Sequence, residues 1–478
     1  MPFERRVGTV GRAVAAVVAL ATTACNDTHP NDHDAPDAAE AADAEAGADV
    51  DPPRPALLDD AGRTVIYVGV NVGQTSKEPP DFMPGLSDGD YDLLVAWGVT
   101  LVRFLVFWEA IEPEPGVHDE AYLAAVRAEI DRIGARGIDV AIDMHQDVFG
   151  RGFGFAGAPR WACLERHYAT FLRTEPWFIN YLAPEVTACF DHLWGSSDLW
   201  ERYRDSWVRA ARALGDHPAV IGFDLMNEPA PGSATAAAFE RDVLSAFYDL
   251  VGAGATAAAP GRLLLLEPSL LVNLGARTRL PPFGSGEVYA PHYYPAFTET
   301  GGYDGRADAV RAGLGELAAD AARLGAPLVI GEFGIRNDAA GAERYVADAL
   351  DAALELGASA LAWDMSRGGP GSFSLLDADG RPHPTAGAFA RPYPHRVAGR
   401  LVSSSYDRPS GALEIAWEES GAAGPTVVVL PPALFPSVRV TSSDPPGSWT
   451  HEHDAVRGRL VLAVDPFVTP HRFRFERP

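Results

Sequence analysis

The sequence predicts an α/β fold, a (β/α)8 TIM barrel followed by a small C-terminal antiparallel β-sandwich. Eight short apolar runs, typical of strands buried on both faces, lie between residues 61 and 396. Amphipathic helical patterns, such as residues 119–137 and 341–358, separate these runs and favour a parallel sheet. A doubly wound open sheet is the alternative, but no glycine-rich phosphate-binding sequence follows the first run.

The eight predicted strands carry polar or aromatic residues at most of their carboxyl ends. The runs cover residues 65–72, 99–108, 138–147, 219–229, 262–269, 287–294, 327–334 and 358–366. Their ends supply Arg103, His145, Asp147, Asn227, Glu228, His292, Tyr294, Glu332 and Trp363. Because the carboxyl ends of barrel strands meet at one face, we expect these side chains to share a cleft.

Two of these residues, Glu228 and Glu332, end the fourth and seventh runs and so face each other across the predicted cleft. Two carboxylates about 5 Å apart suit hydrolysis of a glycosidic bond with retention of configuration. One protonates the leaving oxygen, and the other attacks the anomeric carbon.

The set of strand-end residues resembles glycoside hydrolase family 5, the cellulase-type family of retaining β-glycosidases, over residues 60–395. The resemblance implies that Glu228, preceded by Asn227, is the general acid/base and that Glu332 is the nucleophile. The residues that match the family at strands two, three, six and eight are Arg103, His145, His292, Tyr294 and Trp363. In this interpretation Asn227 binds the sugar 2-hydroxyl, Glu228 begins the reaction protonated, and Arg103 and Tyr294 keep Glu332 ionised.

Three of the matched residues also have structural interpretations. Trp363 stacks on a sugar ring or packs in the core. Arg103 is a charge partner of the nucleophile or a member of a structural ion pair, and His145 is a site residue or a buried core histidine.

The stretch of residues 143–162, DMHQDVFGRGFGFAGAPRWA, resembles the endoglycoceramidase branch of the family. That branch cuts the bond between an intact glycan and ceramide, which implies that Asp147 binds the glucose next to the cleaved bond. The chain departs from the usual pattern at Phe333, where Trp is common, and at Ala290, where Glu is frequent, so the fine substrate preference stays open. A β-glucanase or β-glucosidase that acts on non-lipid glucosides is the second hypothesis.

A third hypothesis is a non-catalytic surface protein that binds carbohydrate, although the presence of both glutamates argues against it. No metal or organic cofactor is implied, because the sequence has neither a ligand cluster nor a nucleotide loop. The net charge of −26 argues against a nucleic-acid partner, and the oligomeric state is not readable.

The segment 148–195 is long for a barrel loop. It contains Phe149, Phe153, Phe155, Trp161, Trp177 and Phe178, which form an apolar wall for a lipid or pack the segment onto the barrel. In an exported protein its two cysteines, Cys163 and Cys189, are expected to pair, and two free buried thiols are the alternative. Lys77, the only lysine, follows the first strand and either donates to sugar hydroxyls or is an ordinary loop residue.

The two ends of the chain differ from its centre. Residues 1–25 read as an export signal that resembles a bacterial lipoprotein signal, in which Cys25 is lipidated; an ordinary cleaved signal peptide and secretion are the alternative. Residues 26–60 hold eleven Asp and Glu against one Arg and predict a disordered tether. Residues 397–478 alternate short strands with turns and predict the sandwich. Packing against the barrel is its expected role, and contact with a membrane or binding of glycan are the alternatives.

Overall fold

The structure, a computed structural model, describes residues 55–478. The predicted export signal with Cys25, and residues 26–54 of the predicted tether, lie outside the described residues. Within 55–478, no helix is both long enough and apolar enough to cross a bilayer.

Eight parallel strands form a closed barrel, and each lies within one of the predicted runs. The strands are Val68–Val72, Leu101–Val106, Asp139–Met144, Val220–Asp224, Leu263–Leu266, Glu287–Tyr289, Val329–Phe333 and Ser359–Ala362. The sixth strand resumes as His292–Tyr293 after a break at Pro291. The eighth strand pairs with the first, and both parts of the sixth contact the seventh, so the ring is closed. The predicted (β/α)8 barrel is therefore confirmed.

One long helix follows each of six barrel strands. These helices are Asp88–Trp97, Glu120–Gly134, Ser197–Leu214, Ser245–Ala258, Ala307–Leu324 and Ala342–Glu355. Shorter helical turns in the connections are Gln74–Lys77, Trp108–Ile111, Ala236–Ala238, Phe239–Leu244, Phe297–Thr300 and Pro384–Phe389. The helices predicted within 119–137 and 341–358 are both present.

The connection after the fifth strand departs from the regular pattern. Residues 267–286 are all described, and they form the short helix Leu270–Leu274 but no long one. Gly275 ends this helix in the left-handed conformation, and the Pro281–Pro282 pair prevents a longer helix from forming beyond it. The barrel therefore lacks the usual helix on this side, and the connection stays close to the carboxyl ends of the strands.

The segment 148–195 folds as a compact excursion rather than an open loop. Its elements are Arg151–Phe153, Arg160–Ala162, Glu165–Thr170, Trp177–Leu182 and Pro184–Trp194. The predicted disulfide between Cys163 and Cys189 is confirmed, with an S–S distance of 2.00 Å. This bond joins the two halves of the excursion.

The interior of the barrel has an apolar end and a charged end. Leu101, Ala141 and Leu265 belong to a buried cluster of small and branched side chains. Two residues further along the same strands stand Arg103, Asp143 and Glu267, all buried. Because side chains two apart on a strand point to the same side, each of these three strands directs one apolar and one charged residue into the barrel interior. The charged layer lies at the carboxyl ends.

Two antiparallel sheets form the C-terminal sandwich. One sheet has the order Arg400–Asp407, Ala412–Glu418, His471–Glu476 and Arg439–Ser442. The other has the order Thr64–Val65, Tyr393–Val397, Thr426–Val429, Arg459–Val464 and Trp449–Asp454. The sandwich itself is confirmed. The predicted boundary at residues 396 and 397 runs through one of its strands, and residues just before the barrel complete the same sheet, so the two units are joined by shared backbone pairing.

Candidate active site

Arg103 lies at the centre of the charged layer and is fully buried. Its guanidinium lies 2.8 Å from carboxylate oxygens of Asp224, Glu267 and Glu332 and 2.9 Å from one of Asp143. It also donates to the side-chain oxygens of Asn71 and Asn227 at 3.0 and 2.9 Å. One side chain thus connects residues from six strands. Among them are Glu332 itself and Asn227, the residue that precedes Glu228. Arg103 is both the predicted partner of Glu332 and a structural ion-pair residue, and it lies beneath the cavity rather than in its lining.

His292 supplies a second positive charge to this layer. Its ring nitrogens lie 2.9 Å from Glu228, 3.2 Å from Glu267 and 3.6 Å from Glu332. Burial acts to lower the pKa of His292, but the charges of Glu267 and Glu332 outweigh it and raise that pKa well above its usual value. His292 is therefore an imidazolium at neutral pH, with both ring nitrogens available as donors.

Asp224, in the same layer, holds a proton more tightly than an ordinary aspartate. Burial raises the pKa of Asp224 well above its usual value, and the charges of Glu267 and Asp143 act in the same direction against Arg103. Its Oδ1 atom has no hydrogen-bond partner within residues 55–478, whereas Oδ2 accepts from Nε of Arg103 at 2.8 Å. Protonation of this acid reduces the excess of negative charge around the single guanidinium.

The two predicted catalytic glutamates have different partners. Glu332 accepts from the hydroxyl of Tyr294 at 2.9 Å and from Arg103 at 2.8 Å. Burial raises the pKa of Tyr294 well above its usual value, so that hydroxyl stays a donor. Oε1 of Glu228 accepts from Asn273 at 2.7 Å and lies 2.9 Å from Nδ1 of His292. Because both donors bind the same oxygen, the proton of an acidic Glu228 belongs on Oε2.

A side-chain oxygen of Glu228 lies within 4.8 Å of one of Glu332. Retaining glycosidases place their two carboxyl groups about 5–5.5 Å apart, whereas inverting ones leave about 6.5–9.5 Å for a water. The close approach of these oxygens is typical of the retaining arrangement, which suits direct attack by one carboxylate while the other protonates the leaving group.

The backbone of Glu228 is held in an unusual conformation. Its φ angle is 43°, in the left-handed region that costs energy for a residue with a side chain. Its N–H donates to Oε2 of Glu267 at 2.8 Å, and Nε2 of Gln146 donates to the carbonyls of Asn227 and Glu228 at 2.9 and 3.0 Å. These contacts hold the turn that directs the Glu228 carboxyl toward Glu332.

Glu267, Gln146 and Asn273 were not among the predicted site residues. Glu267 follows the fifth strand and precedes a proline, as Glu228 does at the end of the fourth strand, and this parallel was the signal for it. Gln146 stands between two predicted residues. Asn273 lies in the irregular connection after the fifth strand, where no periodicity marks it.

Lys77, Asp147 and Trp363 form a second group of predicted residues. Nζ of Lys77 lies 2.6 Å from Oδ2 of Asp147 and 4.5 Å from the centroid of the Trp363 ring. Burial acts to raise the pKa of Asp147, but Lys77 and His145 hold it well below its usual value. His145 stacks on Trp363 with ring centroids 5.4 Å apart and contacts Asp143 at 2.8 Å. Lys77 is therefore not an ordinary loop lysine but part of a fixed cation–carboxylate pair beside a ring.

These side chains line a cavity of about 1120 Å³. The predicted residues in its lining are Lys77, His145, Asp147, Asn227, Glu228, His292, Tyr294, Glu332 and Trp363. Apolar walls come from two connections, with Phe155, Trp177, Phe178 and Leu182 in the excursion and Leu270, Leu271 and Leu274 after the fifth strand. The other predicted aromatics, Phe149, Phe153 and Trp161, belong to the core or pack against it. Of the six aromatic residues considered in the sequence, three therefore line the cavity and three do not.

Comparisons with known proteins agree with this geometry. The model of the cellulase family, glycosyl hydrolase family 5, matches residues 69–369, and that of the glycoside hydrolase family 5 C-terminal domain matches residues 391–466. Endoglycoceramidase I of Rhodococcus hoagii (strain 103S) is 28% identical over 458 residues, which cover 88% of this chain and 87% of that protein. The structure of endo-glycoceramidase II from Rhodococcus sp. in its ganglioside GM3 complex is 28% identical and covers 89% of this chain and 100% of that one, with a TM-score of 0.80. The lactosyl-enzyme intermediate of the same protein gives 28% identity, the same coverage and a TM-score of 0.78.

Replacement of Asp224 by Asn is expected to make stability less sensitive to pH. The pKa of Asp224 is raised above that of an unfolded aspartate, about 3.9, so the folded protein loses stability as the pH rises from there toward the folded pKa. Each pH unit in that window costs about 1.4 kcal/mol. Asparagine has no proton to lose, and its amide oxygen still accepts from Arg103. Thermal unfolding of Asp224→Asn at about pH 5 and about pH 8 should therefore show a smaller decline than that of the wild type.

The matched control is Asp308→Asn, whose native side chain is fully exposed at 100%. It should follow the wild type at both pH values. An Asp224→Asn protein that loses stability as steeply as the wild type would show that Asp224 is ionised in the folded state throughout.

Proposed function

The chain belongs to glycoside hydrolase family 5, and from this membership we propose that it hydrolyses the bond between the glycan and the ceramide of glycosphingolipids. One observation carries the proposal. Side-chain oxygens of the two glutamates lie within 4.8 Å of each other in one cavity. Lys77, Asp147 and Trp363 line this cavity together with the apolar walls. The similarity to endoglycoceramidases over most of the chain supports the same conclusion.

In the first step, Glu332 attacks the anomeric carbon of the glucose that bears ceramide. Tyr294 and Arg103 each bind one of its two oxygens, which fixes the orientation of the carboxylate. Glu228 passes its Oε2 proton to the oxygen of the leaving ceramide, so that a glycosyl-enzyme ester and free ceramide result.

In the second step, the ionised Glu228 takes a proton from a water molecule. That water attacks the anomeric carbon on the side opposite to its bond with Glu332. The bond to Glu332 breaks, and the intact glycan leaves with its original configuration. His292 and Asn273 stay bound to Oε1 throughout, so Oε2 is the oxygen that both gives and takes the proton.

The sugar is held by the group around Lys77 and Asp147. Their cation–carboxylate pair offers donors and acceptors to neighbouring hydroxyls, and Trp363 supplies an apolar face beside them. Asn227 lies between Arg103 and the backbone of Gln146, which positions its amide for the sugar 2-hydroxyl. The aglycone lies against the leucines after the fifth strand and the aromatics of the excursion.

Export and anchoring are a separate proposal that rests on the sequence alone. Residues 1–25 carry the protein out of the cell, Cys25 receives a lipid, and the acidic segment that follows spaces the barrel from a bacterial envelope membrane.

Incubation of the purified protein with lactosylceramide in detergent should release intact lactose and ceramide, identified by mass spectrometry. Glu228→Gln should lower the rate about 10²–10⁴-fold because the proton donor is lost. Glu332→Gln should lower it at least as much, because no covalent intermediate forms. Release of galactose and glucosylceramide would contradict the proposed bond. Hydrolysis of a cellulose oligomer without any action on lactosylceramide would support a β-glucanase, and binding of glycan without any turnover would support a non-catalytic protein.

Asn273→Leu is expected to impair the acid step selectively. Without its hydrogen bond the Glu228 carboxyl is free to turn, and the rate on lactosylceramide should fall about tenfold. Dinitrophenyl lactoside, whose leaving group needs no proton, should be cleaved to the same intermediate at nearly the wild-type rate. An equal loss on both substrates would mean that Asn273 supports only the fold of its connection.

Lipidation at Cys25 is tested in a bacterial host. Mass spectrometry of the membrane-bound protein should find an N-terminal lipid-modified Cys25, and Cys25→Ser should move the protein to the soluble fraction. Cleavage at another residue without a lipid would instead indicate an ordinary secreted protein.

A further inference from the structure

Two leucines of the excursion are exposed, one in the lining of the cavity and one next in sequence to a lining residue. Leu172 is 83% exposed and Leu182 is 49% exposed. Leu182 also lines the cavity, as does Arg173, the chain neighbour of Leu172. With Leu164, they account for three of the nine most exposed large apolar side chains in residues 55–478. We name Leu172 and Leu182 the leucine rim.

The leucine rim stands on a fixed turn. The side chain of the buried Asn180 accepts from N–H of Thr174 at 2.8 Å and donates to the carbonyls of Thr174 and Trp177 at 2.8 and 2.6 Å. Phe171, immediately before the rim, packs on Phe153 with ring centroids 4.8 Å apart. The exposure of the two leucines is therefore a property of the folded excursion and not of a loose loop.

The segment that carries the leucine rim is less acidic than the chain as a whole. Residues 160–185 contain three arginines and three glutamates, whereas the chain has a net charge of −26. Anionic lipid headgroups repel a strongly acidic surface but not a neutral one. Long arginine side chains also place their apolar stems against lipid while the guanidinium stays in the headgroup layer. The excursion is thus suited to approach a membrane, although the protein as a whole is acidic.

We propose that the leucine rim docks the protein on the surface of a lipid layer at the mouth of the cavity. This inference rests on the proposed function, because a ceramide that leaves a bilayer needs an apolar path into the site. Trp177, Phe178 and Leu182 form that path, since they extend from the rim into the cavity lining. Two leucines give weak and reversible attachment, which lets the protein move between substrate molecules. This contact is distinct from a lipid at Cys25, which would attach the protein through its N-terminal region.

The test compares Leu172→Asp with Phe467→Asp. Phe467 is 94% exposed in the C-terminal sandwich, and in the chain it is far from the residues that line the cavity. Its replacement also exchanges an exposed apolar side chain for a carboxylate. All proteins carry Cys25→Ser, which removes lipidation. On phosphatidylcholine vesicles that contain lactosylceramide, Leu172→Asp should sediment less with the vesicles and release ceramide about tenfold more slowly. In detergent and on a water-soluble aryl lactoside it should match the wild type, and Phe467→Asp should match the wild type in every assay.

A Leu172→Trp protein provides the opposite change and should bind the vesicles more tightly than the wild type. The proposal is overturned if Leu172→Asp releases ceramide from vesicles as fast as the wild type, if Phe467→Asp loses as much, or if Leu172→Asp is equally slow in detergent. If the wild type cleaves no lactosylceramide in any form, the proposed function fails, and sedimentation with the vesicles still decides whether the rim docks.

Discussion

The contact between one buried guanidinium and four acidic side chains is the constraint on which the rest of the active site depends. Arg103 binds side chains from strands on opposite sides of the barrel. It donates directly to Glu332, and it also donates to Asn227, the residue that precedes Glu228. A buried ion pair repays its desolvation only when its geometry is complete, and removal of one partner typically costs about 3–5 kcal/mol. The raised pKa of Asp224 and the imidazolium of His292 favour this geometry, because both reduce the net negative charge that the guanidinium must balance.

The sequence was sufficient for the barrel, the sandwich, the disulfide and the group of residues at the strand ends. The barrel and the sandwich follow from the spacing of apolar residues, and the disulfide follows from the tendency of two cysteines in an exported protein to pair. The group of site residues follows from the common face at which parallel strands end. Asn273 could not be predicted, because its place depends on how residues 267–286 fold in the absence of a long helix. The strand Trp449–Asp454 has no clear signal in the sequence, since it is a mostly exposed edge strand without an apolar alternation. The excursion shows the same limit, because composition alone does not tell Phe149, which packs in the core, from Phe155, which lines the cavity.

Two irregular connections give this barrel its lipid-sized cavity. The excursion is held by a disulfide and by packed aromatic rings, so it forms a stable wall. In the other connection, the short helix Leu270–Leu274 brings leucines to the cavity and Asn273 to the Glu228 carboxyl. The same connection therefore shapes the space for the aglycone and orients the acid that releases it. A regular helix at this position would do neither.

The place of His292 has a consequence for how charge moves during turnover. In the resting site the negative charge is on Glu332, and in the glycosyl-enzyme it is on Glu228. The imidazolium lies 2.9 Å from one carboxylate and 3.6 Å from the other, so the same cation neutralises the charge before and after the transfer. No counter-ion has to travel and no solvent has to reorganise around the migrating charge, which removes a cost that water would impose on the same reaction.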